Sequence, residues 1–369
     1  MRTKHIVGLD IVRFLAAFLV MAEHFFFSSW ISPSHSSHSI EPIWTFPAFG
    51  WIGVQIFFVL SGFVISYTAS GATAFKFLSS RIVRLVPAAW ICSTITLLVI
   101  FYSGDPPVGV ALKRWVAALT FFPKPPYIDK VYWTLGLEIF FYFEIFILLA
   151  VNKFKYVEWL SVFIAAISCT FWLLFYTVKP EFIDEIYRSR EFSIMLVQHG
   201  CFFSLGITFW LCIHKITPAR IVLIGMCISA GIGQIISEHH GQPDVAGINQ
   251  TPALAIFVWL LSMCLMLASI YWRDAIKPAN WIRTIGLMTY PLYLVHDLLG
   301  VEIIKRIIGI GPILSVCVAM ALCIALSWLI TATLEKRLQK FFRILLDEQR
   351  ARSRISVPFL FTKSTPPFS

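Results

Sequence analysis

Charge is what this chain has least of: 14% of its 369 residues are charged against 58% hydrophobic, and mean hydropathy is +0.78. That balance excludes a soluble domain of this size. The eight cysteines (Cys92, Cys169, Cys201, Cys212, Cys227, Cys264, Cys317 and Cys323) fall within apolar stretches without metal-type pairing, so neither a disulfide framework nor a zinc site is supported. His35 and His38 have ligand-like spacing but no third ligand nearby, and no metal is expected. A phosphate-cradling glycine loop and a Gly-x-Ser-x-Gly elbow are also missing, as are internal repeats and any stretch that would make a second globular domain.

What is present is a series of ten apolar stretches near 6–27, 48–68, 86–103, 133–151, 157–178, 193–213, 220–237, 253–272, 284–301 and 312–334. Each could cross a hydrocarbon core of about 30 Å, which predicts an all-α polytopic membrane protein with about ten transmembrane helices in one bundle. The net charge of +10 suggests a nucleic-acid partner only until the cations are placed. With the N-terminus inside, 20 Lys and Arg lie inside and 9 outside, which fits an even number of spans, both termini cytoplasmic and no nucleic-acid ligand. The first stretch carries internal charges and lacks a small-residue cleavage pattern, so it is expected to be retained. Residues 1–335 read as the transmembrane domain and 336–369 as a basic cytoplasmic tail, in which Leu338, Phe341, Phe342 and Leu345 form the stripe of a surface-lying amphipathic helix. The segment Val108–Pro123 reads as interfacial or re-entrant, and the polar loop Lys179–Phe192 as solvated or as a contact for an acceptor.

Four polar clusters sit at membrane depth, where an ionisable group costs roughly 2.5–3.5 kcal/mol on insertion scales. In the first stretch, eleven residues at about 100° each return Arg13 and His24 to one stripe, about 16 Å apart, a separation suited to the two ends of a long ligand. Asp10 is placed to neutralise Arg13, and His24, near the outer end, is a candidate general base. Arg81 and Arg84, three apart at the inner end of the third stretch, either hold a phosphate-bearing donor or anchor the span. Glu138 and Tyr142 share a face at a depth comparable to that of His24. Tyr293 and His296 follow Pro291, as a site element or as a kinked helix around a satisfied histidine.

In this order and spacing the stretches resemble the membrane-bound acyltransferase-3 family. The likeness rests on Gly8 to Arg13 with His24, Gly50 to Phe63, Arg81 and Arg84 with Pro87, Trp133 to Tyr142, and Tyr290 to His296, over about residues 6–335. The resemblance implies that Arg13 and His24 are needed for acyl transfer and that Arg81 and Arg84 handle an acyl-CoA donor, acetyl-CoA by expectation. It carries Glu138 as a further functional acid. By its own position Glu138 would orient His24, relay a proton or lock helices together, and Asp10, Tyr142, Tyr293 and His296 are expected to support the site. Gln55 stands where the family often has Asp, which argues against an essential acid there. The expected enzyme is an O-acyltransferase of a bacterial inner membrane with no permanently bound cofactor, acting on a glycan or glycolipid. About 35 residues follow Leu334, so the stand-alone form is expected. The rival class is a proton-coupled transporter using the same His, Glu and Arg as a relay, against which stands the lack of paired broken helices in matching halves.

Overall fold

A computed structural model describes residues 6–28, 47–241, 251–273 and 279–355. His35 and His38 lie outside the described residues, as does the end of the tail. Among the described residues every regular element is helical. In chain order they are α1 (Val7–Glu23), α2 (Gly53–Ala69), α3 (Ala74–Ser103), α4 (Val108–Leu119), α5 (Trp133–Ala150), α6 (Val157–Thr177) and α7 (Glu181–Arg188). There follow α8 (Arg190–Ile194), α9 (Gly200–His214), α10 (Pro218–Gly241), α11 (Pro252–Tyr271), α12 (Asn280–Ile307), α13 (Pro312–Ala332) and α14 (Leu334–Ile355). Among the described residues, eight helical segments are long and apolar enough to cross a membrane. The other two predicted stretches are α1, of 17 residues and extended by a π-helical turn at His24–Ser28, and the 15-residue α9.

Helix α9 is buried on every face from Gly200 to Leu211 and lies against α2. The two meet backbone to backbone: a Cβ on Gly206 would stand 2.1 Å from the Val59 carbonyl oxygen, and one on Gly62 2.1 Å from that of Phe203. Helices in lipid gain contact through such small residues, so this crossing forms the centre of the bundle. Helices farther out turn large side chains such as Trp159, Phe163 and Leu173 outward, as a lipid-facing surface requires.

Helix α3 begins where the Thr73 hydroxyl accepts from the Lys76 amide (3.3 Å) and ends at Gly104, whose φ of +80° suits glycine. At 30 residues it is about 45 Å long, more than a hydrocarbon core, and its excess carries Arg81 and Arg84. Pro291 lies inside α12. A proline has no N–H to give the carbonyl four residues earlier, here Leu287. That carbonyl instead accepts from Arg84 Nη2 at 3.1 Å, so the break in α12 and the basic end of α3 complete each other.

Arg84 also pairs through Nη1 with Glu335 Oε1 (3.2 Å), and Phe342 meets Trp90 edge-on at 5.5 Å between centroids. Helix α14 is therefore docked on α3 at its start, while Phe341, Ile344 and Leu345 stay exposed. The 12-residue α4 folds back along α3, with Trp115 Nε1 donating to Thr94 Oγ1 (3.2 Å) and Trp90 Nε1 to the Leu119 carbonyl (3.0 Å). The polar loop after α6 is not simply solvated. It forms α7 and α8, and Arg190 donates to the carbonyls of Pro123 (2.9 Å) and Trp133 (2.5 Å), fixing the entrance of α5.

Candidate active site

Two cavities lie one above the other along the α1 stripe. The inner one, about 360 Å³, is lined by Arg13, Arg81, Arg84, Glu138 and Tyr142 together with Ser61 and Tyr290. The outer one, about 160 Å³, is lined by Val20, His24, Trp51, Gln55, Lys130, Trp133 and Glu238. Val54 and Tyr293 line both and so form the partition between them.

The three arginines of the inner cavity differ. Arg84 is committed to Glu335 and the Leu287 carbonyl, and Arg13 lies 3.6 Å from Asp10. Arg81 meets no carboxylate among the described residues; its Nε donates to Ser80 Oγ at 3.2 Å, leaving both terminal nitrogens of the fork for an anion. Glu138 accepts from Ser61 Oγ (2.9 Å) and from the Tyr142 hydroxyl (3.0 Å). This corrects the expectation that Glu138 orients His24. Five residues beyond Trp133 on the same helix, it is turned by about 140° from the outer cavity that Trp133 lines and faces the arginines instead.

The partner of His24 is His296. His296 Nδ1 lies 2.9 Å from the Tyr293 carbonyl and 3.1 Å from that of Leu292. A carbonyl can only accept, so His296 Nδ1 carries the proton and its Nε2 is a bare acceptor. That Nε2 is 2.9 Å from His24 Nδ1, which must therefore donate, and the ring planes lie within 18° of each other with centroids 4.9 Å apart. The lock leaves the lone pair of neutral His24 on Nε2. Two carboxylates flank the ring, Asp297 Oδ1 at 3.3 Å from Nδ1 and Glu23 Oε2 at 3.4 Å from Nε2, positioned to stabilise an imidazolium once Nε2 takes a proton. His296 is fully buried at the kink, and its Nε2 meets His24 there.

Sequence reasoning passed over several members of this site. Lys130 reaches Asp297 (3.6 Å), and Asp129 accepts from the amides of Val131 (3.2 Å) and Leu298 (3.1 Å), tying the entrance of α5 to α12. Glu238 on α10 lines the outer cavity, and Gln234, one turn before it, donates to it at 3.3 Å. The only signal for them was the spacing of an amide and an acid four apart on one helix face.

Burial, and next the neighbouring Asp297 carboxylate, hold the Asp129 carboxyl well above the usual carboxylate range. An acid raised on folding favours the folded state while it is protonated. Stability is therefore full below the unfolded pKa of about 3.9 and falls as pH rises from there to the raised value. Asp129→Asn removes the titrating group, at the cost of one of the two amide contacts, and is expected to flatten that fall, so that its Tm varies less with pH than that of wild type. Parallel curves of Tm against pH for the two proteins would contradict it.

Residues 6–332 match the family model described as Acyltransferase domain, of the acyltransferase-3 type. No curated protein and no solved structure matches.

Proposed function

We propose that this chain, which belongs to the acyltransferase-3 family and is a membrane acyltransferase, moves a short acyl group from acyl-CoA to a hydroxyl of an envelope or exported glycan. The observation that carries this reading is the tautomer lock on His24, which leaves Nε2 unprotonated on a residue lining a cavity that shares Val54 and Tyr293 with an arginine-lined one. The donor enters from the cytoplasm, with its phosphates on Arg81 and Arg13 and its thioester arm directed outward along the α1 stripe. The separation of about 16 Å between Arg13 and His24 calls for such an arm. An outer cavity of about 160 Å³ favours acetyl over a long chain.

His24 Nε2 takes the proton of the acceptor hydroxyl as its oxygen attacks the thioester carbonyl. The tetrahedral intermediate expels CoA as thiolate, the imidazolium returns the proton to sulfur, and ester and free CoA leave. Glu138, with Tyr142, keeps the inner cavity from being uniformly cationic. The membrane is the cytoplasmic membrane of a bacterium, in keeping with the inside bias of Lys and Arg.

Purified protein in nanodiscs is expected to release CoA from acetyl-CoA, and cells carrying the protein to show envelope glycans heavier by one acetyl group than cells without it. A proton-coupled transporter gives neither result, and the absence of both would overturn the proposal.

A further inference from the structure

The outer cavity holds a polar chain that the acyl-transfer step does not use. Gln55 Nε2 donates to Gln234 Oε1 at 3.2 Å, and Gln234 Nε2 donates to Glu238 Oε2 at 3.3 Å. The direction is set from its end: a carboxylate only accepts, so Gln234 must turn its amide nitrogen to Glu238 and its carbonyl to Gln55. Gln55 then has its own carbonyl left over. Gln55 is 3% exposed and lines the cavity, and its Oε1 has no hydrogen-bond partner among the described residues. A buried acceptor without a donor costs about 1–3 kcal/mol, and a ligand O–H placed there recovers it.

The rest of the wall narrows the ligand. Trp51 and Trp133 offer indole surface in a small cavity that also holds His24, Lys130 and Glu238. Trp133 is held in place by Phe58, edge-on at 6.2 Å, and by the Arg190 guanidinium over its ring. Flat aromatic faces beside an amide, a carboxylate and an ammonium suit a ring that is apolar on its C–H face and hydroxylated at its edge. The exposed Lys130 opens the cavity to the surface, so such a ring can enter from outside.

We propose that Gln55 and Glu238, joined by Gln234 between them, form the acceptor subsite and recognise a polyhydroxylated ring, one hydroxyl presented to His24 and two others donating to Gln55 Oε1 and to Glu238. The proposal rests on the reading of His24 as the base and deepens it: the enzyme selects a polyol over a simple alcohol. Gln55 is a specificity-determining residue, and an amide suffices at this position because the task is to accept a hydrogen bond rather than to carry charge.

The test uses the full chain in nanodiscs with acetyl-CoA and, as probes, the methyl glycosides of glucose, galactose and mannose against cyclohexanol, a ring of like size with one hydroxyl. Wild type is expected to acetylate at least one glycoside with a kcat/KM at least about tenfold above that for cyclohexanol. Gln55→Leu should abolish that preference by lowering kcat/KM for the glycoside at least about tenfold, with the KM for acetyl-CoA unchanged. An unaltered glycoside preference in Gln55→Leu, or cyclohexanol as the better substrate of wild type, would overturn the subsite. If wild type transfers to nothing and releases no CoA, it is the acyl-transfer reading that fails. Saturation-transfer NMR of the same glycosides without donor then decides the subsite, since binding by wild type lost in Gln55→Leu sustains it and no binding by wild type ends it.

Discussion

His24→Ala is expected to yield a protein that inserts and folds as wild type does, binds acyl-CoA with unchanged affinity, and transfers the acyl group at least about 10³-fold more slowly, the upper part of the range for a lost general base. The side chain is packed mainly against polar neighbours and the outer cavity, so its removal costs little in apolar contact. His296 is expected to matter almost as much, although it sits away from the cavity. Without its Nε2 as acceptor, His24 Nδ1–H keeps only the 3.3 Å contact with Asp297, the ring is free to turn, and the other tautomer puts the proton on the nitrogen that must act as base. His296→Leu should therefore lower kcat by about 10²-fold with the KM for the donor unchanged. His296→Gln, which can offer an acceptor oxygen from the same backbone position, should recover part of the loss. The decisive measurement is the ¹⁵N spectrum of labelled histidine, in which His24 Nε2 should resonate as an unprotonated nitrogen in wild type and lose that signature in His296→Leu. Wild-type turnover by His296→Leu would return the residue to core packing.

Helical periodicity made part of this site readable in advance. The α1 stripe is a matter of angle and rise, and the fold puts Arg13 on one cavity and His24 on the next along that stripe. Depth is readable in the same way, but azimuth relative to other helices is not: depth alone pairs Glu138 with His24, whereas the fold puts it in the cavity that Arg81 lines. The outer site is assembled across long separations: His24 and His296 are 272 residues apart, Asp129 and Leu298 169, Gln55 and Gln234 179. No local pattern encodes such pairings. Gln55 looked like the loss of a charge until Gln234 gave it a direction. Arg81 and Arg84 looked equivalent because they share a helix face, and only the carbonyl freed by Pro291 distinguishes them.

That distinction leads to a divided outcome for the two arginines. Arg81 has no carboxylate partner among the described residues and lines the inner cavity, so Arg81→Ala should weaken acyl-CoA binding by about 10- to 100-fold, as expected for a lost charge-assisted contact, while Tm moves little. Arg81→Lys should recover only part of the affinity, because an ammonium keeps the charge and loses the planar fork that matches a phosphate. Arg84→Ala should act first on stability. It strips the Leu287 carbonyl of the donor that replaces the missing proline N–H, and it leaves the buried Glu335 carboxylate with Gln339 Nε2 at 2.8 Å in place of a cation. A clear fall in Tm is expected, and Glu335→Gln in the Arg84→Ala background should restore part of it by removing the stranded charge. Calorimetry with CoA and thermal unfolding on the same four variants separate the two roles. Arg81→Ala binding CoA as wild type does would remove Arg81 from the donor site, and Arg84→Ala with an unchanged Tm would refute its place as the clamp between α3, α12 and α14.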